Sequence, residues 1–165
     1  MNPDDELRAR FIAAMASVAT PVTVVTSDGS FGRSGITVSA VTSVSADPPL
    51  LLACVNRRSP AVEKISGNRF FAVNILAQEA RGVAETFAGH PSEGQAYDFS
   101  RHGWQAGEFA QPLLAEAVAS FECAVDQFFD AGTHRIFIGA VKSVRQSSAN
   151  PLVYHNRRFA RVSND

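Results

Sequence analysis

Cysteine is scarce in this chain of 165 residues: only Cys54 and Cys123 occur. Two are too few for a disulfide framework, and they lack the C-x-x-C spacing of a zinc or redox pair. Long apolar runs are also missing, since the longest, Pro48 to Val55, falls far short of the ~20 residues that span a bilayer. Neither sign of charge is in excess, with 15 Lys+Arg against 16 Asp+Glu and a net charge of −1. That balance argues against a broad basic surface for nucleic acid. His90, His102, His134 and His155 show no H-x-x-x-H or H-E-x-x-H spacing, so no local motif encodes a metal centre and none is expected. G-x-G-x-x-G and G-x-x-x-x-G-K-[ST] are absent, which disfavours Rossmann and P-loop nucleotide enzymes. The start Asn2-Pro3-Asp4-Asp5 is not the basic-then-apolar pattern of a signal peptide. A soluble cytoplasmic protein that neither enters membranes nor binds nucleic acid is the expectation.

What is present suits one packed domain over 1–165, with 45% hydrophobic and 19% charged residues. Asp4 and Asp5 suit the cap of a helix carrying Leu7, Phe11, Ile12 and Met15 on one face and ending by Pro21. From Val22 the composition becomes β-rich, and Ser27-Asp28-Gly29-Ser30 has the composition of a hairpin turn. One strand is predicted over Gly35 to Ser45, another over Leu50 to Val55, and a third at Phe70 to Ile75. Ser59-Pro60 reads as a helix start, and a second helix is predicted over Glu79 to Phe87. His90 to Pro112 has no clear period and reads as a long connection. Val118 to Phe128, Arg135 to Val144 and Leu152 to Arg161 are the last candidate strands. The sum is a mainly β protein: a helix over 1–20, then an antiparallel barrel over 21–162 with peripheral α-helices.

The densest chemistry lies between Gly35 and Pro49, where Thr37, Ser39, Thr42, Ser43 and Ser45 recur at every second or third position. Such a strand suits an anionic ligand held by hydroxyls and backbone N–H groups, and equally a strand with one wet face. This run, followed by Leu50-Leu51-Leu52-Ala53-Cys54-Val55-Asn56, resembles the flavin-binding signature of the short-chain flavin reductases. Those are the reductase partners of two-component flavin monooxygenases, of the 4-hydroxyphenylacetate and phenol hydroxylase type. Phe70 to Leu76, Gly132-Thr133-His134 ahead of Ile136 to Gly139, and Pro151 to His155 match further family elements in order. The likeness covers about Met15 to Arg161.

The resemblance implies a split β-barrel of the FMN-binding type that forms a homodimer and binds FMN or FAD without a covalent bond. Thr37, Val38 and Ser39 then line the isoalloxazine edge, and Ser43, Val44 and Ser45 lie near the ribityl chain and phosphate. Cys54, Val55, Asn56 and Ser59 complete the wall, with the helix start at Ser59 offering N–H groups to phosphate. Phe87 packs close to the flavin, and Tyr154 and His155 flank the pocket. Asn56 also has a plain reading as a turn residue, and Tyr154 as a packing residue. His134 corresponds to the family histidine that faces NADH or NADPH, its plain alternative being a satisfied ring at a strand start. The family's Gly-Asp-His has Thr133 in place of the acid, a departure that weakens the nicotinamide assignment more than the flavin one. Hydride transfer needs little acid–base help, which fits the absence of a catalytic triad or paired carboxylates. The function implied is an NAD(P)H-dependent flavin reductase supplying a separate monooxygenase. Two alternatives are a flavoprotein that keeps its flavin and reduces another acceptor, and a non-enzymatic flavin- or haem-binding domain.

Overall fold

The computed structural model describes residues 2–164. In chain order its elements are α1 (Pro3–Ala16), β1 (Thr20–Pro21), β2 (Thr23–Ser27), β3 (Ser34–Val38), β4 (Val41–Ala46), β5 (Pro49–Asn56), α2 (Ala61–Asn68), β6 (Phe70–Ile75), α3 (Arg81–Phe87), β7 (Trp104–Ala106), β8 (Pro112–Leu114), β9 (Ala119–Ala131), β10 (His134–Gln146), β11 (Leu152–His155) and β12 (Arg158–Arg161). The mainly β architecture with peripheral helices is as the sequence suggests.

Seven strands form one antiparallel sheet in the order β3-β2-β6-β9-β10-β5-β4. Its two edge strands, β3 and β4, are consecutive in the chain, with Ser39 and Ala40 between them. A flat sheet of seven strands at ~4.8 Å spacing sets its edges about 29 Å apart. The chain from Val38 to Val41 reaches at most ~11 Å. The sheet must therefore curl until its edges approach, and the link is completed by the Cys54 N–H donating to the Ala40 carbonyl at 2.9 Å. No ladder joins β3 to β5 or β4, because β3 pairs with β2 and β4 pairs with β5. The barrel stays split along that seam.

Two apolar cores follow from strand alternation. Val25, Val55, Phe71, Val73 and Phe137 fill the barrel, closed by Ala61, Val62 and Ile65 of α2. On the opposite face Val22, Val24, Leu76, Val83, Phe87 and Leu152 form a second cluster, against which Phe99 and Trp104 pack. Each large side chain buried this way contributes ~1.5–3 kcal/mol. The hydroxyls of β2 are satisfied internally: Thr23 donates to the Val38 carbonyl at 2.7 Å, Thr26 to Pro112 at 2.6 Å and Ser27 to Phe70 at 2.7 Å. Buried Asn74 is a hub, accepting from the Leu114 N–H at 3.0 Å and the Ser120 hydroxyl at 2.8 Å while its amide faces the Pro112 carbonyl. It fixes the β7–β8 hairpin, which breaks up the long connection, onto the barrel.

Several local expectations change. Asn2, not Asp4 or Asp5, caps α1, since Pro3 takes the first helical position and the residue before a proline is held extended. The helix stops at Ala16, capped by Ser17, and Thr20–Pro21 already pairs with β11. The positive φ of the β2–β3 turn falls on Gly32, at +95°, not on the Asp28-Gly29 pair. The single strand expected over Gly35 to Ser45 is two strands at opposite edges of the sheet. Leu152 to Arg161 is a hairpin whose tip, Asn156 and Arg157, has φ of 50° and 61°, the left-handed pair a two-residue turn requires.

Candidate active site

The seam leaves two backbone edges without ladder partners: the outer edge of β3, and the end of β5 beyond Cys54, where β4 no longer pairs. At the C-terminal end of β3, Thr37, Val38 and Ser39 line a cavity of about 210 Å³ with Ala84, Ala88 and Tyr154. Four of the expected residues thus come together. The Thr37 hydroxyl donates to the Ala84 carbonyl at 2.7 Å, so its oxygen is left as an acceptor toward the cavity. Ser39 is exposed, and its hydroxyl has no bond among the described residues.

At the N-terminal end of β3 a second cavity of about 250 Å³ gathers Arg33, Ser34, Ser59, Lys64, Tyr97 and Phe99. The Ser34 hydroxyl oxygen is buried there without a hydrogen-bond partner. An orphaned hydroxyl beside two cations is a costly arrangement unless a ligand completes it. Arg33 is oriented by Asp28 at 2.8 Å and stacks over Phe99, while the Lys64 ammonium donates to the Arg33 carbonyl at 2.9 Å. Ser34, Arg33 and Lys64 were missed from sequence. A cation directly before the hydroxyl run, and a lysine one helical turn after Pro60, were the available signals. The helix start itself is less open than expected, because the Ser59 hydroxyl and carbonyl take the N–H groups of Ala61 and Val62, both at 3.2 Å. An anion here is met by side chains, not by those two N–H groups.

Other expected residues lie elsewhere. Val55 is 0% exposed in the barrel core, since β5 alternates its side chains inward and outward and Val55 falls on the inner face, while its backbone is turned to Arg135 of β10 and away from the seam. Phe87 is also 0% exposed, locked among Phe99 at 4.8 Å and Trp104 at 5.2 Å, so it supports Gly35 of β3 from behind instead of touching a ligand. Ser43, Val44 and Ser45 sit on β4, opposite Leu51 and Leu50 of β5, and line none of the cavities described here. After Ala40 bonds to Cys54 the chain runs away from the seam, which carries those hydroxyls off. Cys54 faces outward on β5, and burial pushes its thiol up; burial, helped by the Glu122 charge, pushes Cys123 up to about 12. Both are thereby kept as thiols, not nucleophiles.

His134 opens β10 directly opposite Asn56, on the rim of the seam, and is not part of the 210 Å³ cavity. Its Nδ1 lies 2.8 Å from the Thr133 hydroxyl, which takes the orienting place an acid holds in the family pattern. The Asn56 carboxamide oxygen accepts from the Arg58 N–H at 3.0 Å, so Asn56 shapes the turn into α2. His155 is exposed at the tip of the β11–β12 hairpin. Among the described residues no group of His, Cys, Asp and Glu is arranged to hold a metal.

A sheet curled until its two edge strands meet but left without a ladder between them is a split β-barrel. The comparisons agree: residues 15–163 match the model of the flavin reductase like domain, and the chain belongs to that family. It is 37% identical over 156 residues to the 4-hydroxyphenylacetate 3-monooxygenase reductase component of Escherichia coli, covering 94% of this chain and 92% of that protein. It is 39% identical over 151 residues to the FMN reductase (NADH) RutF of Enterobacter cloacae, covering 90% of each. The solved Streptomyces globisporus NADH:FAD oxidoreductase SgcE6, in complex with NAD and FAD fragments, superposes with a TM-score of 0.86 at 32% identity. That match covers 100% of this chain and 97% of the other.

Proposed function

We propose that this protein is an NAD(P)H-dependent flavin reductase that passes reduced FMN or FAD to a separate flavin-dependent monooxygenase. The observation that carries this reading is the seam, where a free strand edge and the unpartnered Ser34 hydroxyl lie beside Arg33 and Lys64. The donor set suits a phosphorylated ligand, and the names of the relatives supply its class: an FMN reductase that uses NADH, and a monooxygenase reductase component. Bound flavin supplies the hydride-accepting ring. The chain's own part is to hold and orient. Thr37, Val38, Ser39 and Tyr154 wall the ring end; Arg33, Ser34, Ser59 and Lys64 take the phosphate end. Cys54 flanks the seam, and Val55 packs behind it in the core. His134, steadied by Thr133, offers a ring N–H to the nicotinamide at the rim.

One domain over 1–165 is part of the proposal, as is a cytoplasmic location. A homodimer is supported by α1, which buries none of its residues and exposes Leu7 (67%) and Phe11 (63%) along one side. No helix is long and apolar enough to cross a membrane among the described residues. The decisive measurement is an anaerobic NADH titration with FMN and then FAD, followed by stopped-flow mixing. Flavin bleaching well above the protein-free rate is expected, and bleaching at the protein-free rate sinks the reading. Flavin that co-purifies stoichiometrically and does not exchange points to the flavin-retaining alternative instead.

A further inference from the structure

A third cavity, of about 510 Å³, is lined by Arg8, Asn56, Arg57, Arg58, Gly132 and Thr133. Three arginines and no carboxylate line it. The contrast with a cavity of about 750 Å³ beside α3 is direct, because Glu79 and Glu116 stand in that wall. Arg57 is oriented by the Gly132 carbonyl at 3.3 Å and by Asp130 at 3.4 Å. Arg58 and Arg8 have no side-chain partner among the described residues. Asn56 spends its oxygen on the Arg58 N–H at 3.0 Å, which leaves its amide NH2 as a further donor. Arg8 comes from α1, a helix that buries nothing, so core packing does not account for its place. The cavity adjoins His134, since Thr133 lines it and stands 2.8 Å from the His134 ring.

We infer that Arg8, Arg57 and Arg58 form the seat of a phosphate group of the pyridine dinucleotide, with Arg8 reaching in from the N-terminal helix. Planar guanidinium forks match phosphate oxygens in pairs, and an exposed cluster of three arginines, of which only Arg57 has a carboxylate partner, favours an anion at the rim. The inference rests on the reductase reading for its choice of anion. Its site does not depend on that reading, which the test exploits.

Calorimetric titration of the full-length protein with inorganic pyrophosphate reads the site without any turnover. Wild type is expected to bind, more weakly as salt rises. Arg8→Gln combined with Arg58→Gln is expected to lose at least about tenfold in affinity, since even one charge-assisted hydrogen bond is of that size and two partners are removed. Arg10→Gln, on the same helix but outside the cavity, serves as the control and is expected to match wild type. The paired variant is then expected to raise the Kd for NAD+ and NADP+ by a similar factor in FMN-loaded protein. A change for NADP+ alone upholds the site and assigns it to the 2′-phosphate; equal changes assign it to the pyrophosphate. Pyrophosphate binding that is absent or equal in wild type and variant overturns the inference. So does a loss confined to FAD with FMN and both pyridine dinucleotides untouched, which gives the cavity to the flavin adenylate. If no flavin is reduced by wild type yet pyrophosphate still separates the variants, the reductase reading fails and the anion site survives.

Discussion

β3 and β4 are two halves of one sequence pattern, each a short run of apolar residues alternating with hydroxyls, and they meet opposite fates. Thr37 of β3 is bonded to α3, Gly35 is pressed by the Phe87 ring, and Ser34 is buried beside Arg33 and Lys64. On β4, Thr42 and Ser43 face solvent, and Ser45 does no more than accept the Asp47 N–H at 3.2 Å. Composition cannot separate them. What differs is the surroundings: α2, α3 and the 88–103 segment converge on β3, while β4 has β5 for its neighbour and an open side. A hydroxyl-rich strand becomes a site where other elements desolvate it and stays a wet edge where they do not.

The sharpest way to break the contrast is to remove the support behind β3. Phe87→Ala empties a fully buried ring position and is expected to cost about 3–5 kcal/mol in denaturant unfolding; a loss under ~1 kcal/mol would mean the ring is not core. Gly35→Ala comes next, because a Cβ there meets Phe87 ring carbons at 2.7 Å and Phe99 at 2.9 Å. About 1–3 kcal/mol of destabilisation is expected, whereas Ser43→Ala on β4 should stay within ~0.5 kcal/mol and leave FMN affinity alone. Equal effects at the two positions would erase the distinction.

Ser34→Ala sharpens it differently. Deleting an unpartnered buried hydroxyl is expected to leave stability unchanged or raise it by up to ~1 kcal/mol. FMN is expected to bind about tenfold more weakly, as one lost hydrogen bond to a charged phosphate implies. A stability loss with intact FMN affinity would place that hydroxyl in the core's service instead. The smallest effect concerns His102, which meets Thr86 of α3 at 3.4 Å from the segment overlying β3. Burial, helped by the charge of Arg101, holds its pKa below the ordinary histidine value. The folded state then favours the neutral ring, so this contribution is complete above pH ~6.5 and is lost as pH falls through the lower folded value. His102→Gln is expected to flatten the acid limb of a Tm-against-pH curve slightly and leave the neutral range unchanged.

Much of this was legible in the residues. β-rich composition marked β2, short apolar stretches marked β5, β6, β9 and β10, and the family resemblance implied Thr37, Val38, Ser39 and Tyr154, which line one cavity. Residues whose role depends on a partner far along the chain were harder to read. Val55 and Cys54 are neighbours of similar polarity, and the face each takes follows from the pairing of β5 with β10. Phe87 looked like a ligand contact until Phe99 and Trp104 enclosed it. Ser34 carried no motif, since its orphaned state exists only once α2 brings Lys64 beside Arg33.

Composition, turn residues and the hydroxyl run by themselves determined that this chain forms strands with a hydroxyl-rich stretch near its first third. Tertiary structure alone decided where that stretch divides and which half other elements enclose. Hydrogen bonds such as Cys54 to Ala40 and Thr37 to Ala84 join residues that local propensity cannot relate, and sheet closure forces two neighbouring strands onto opposite edges of one barrel.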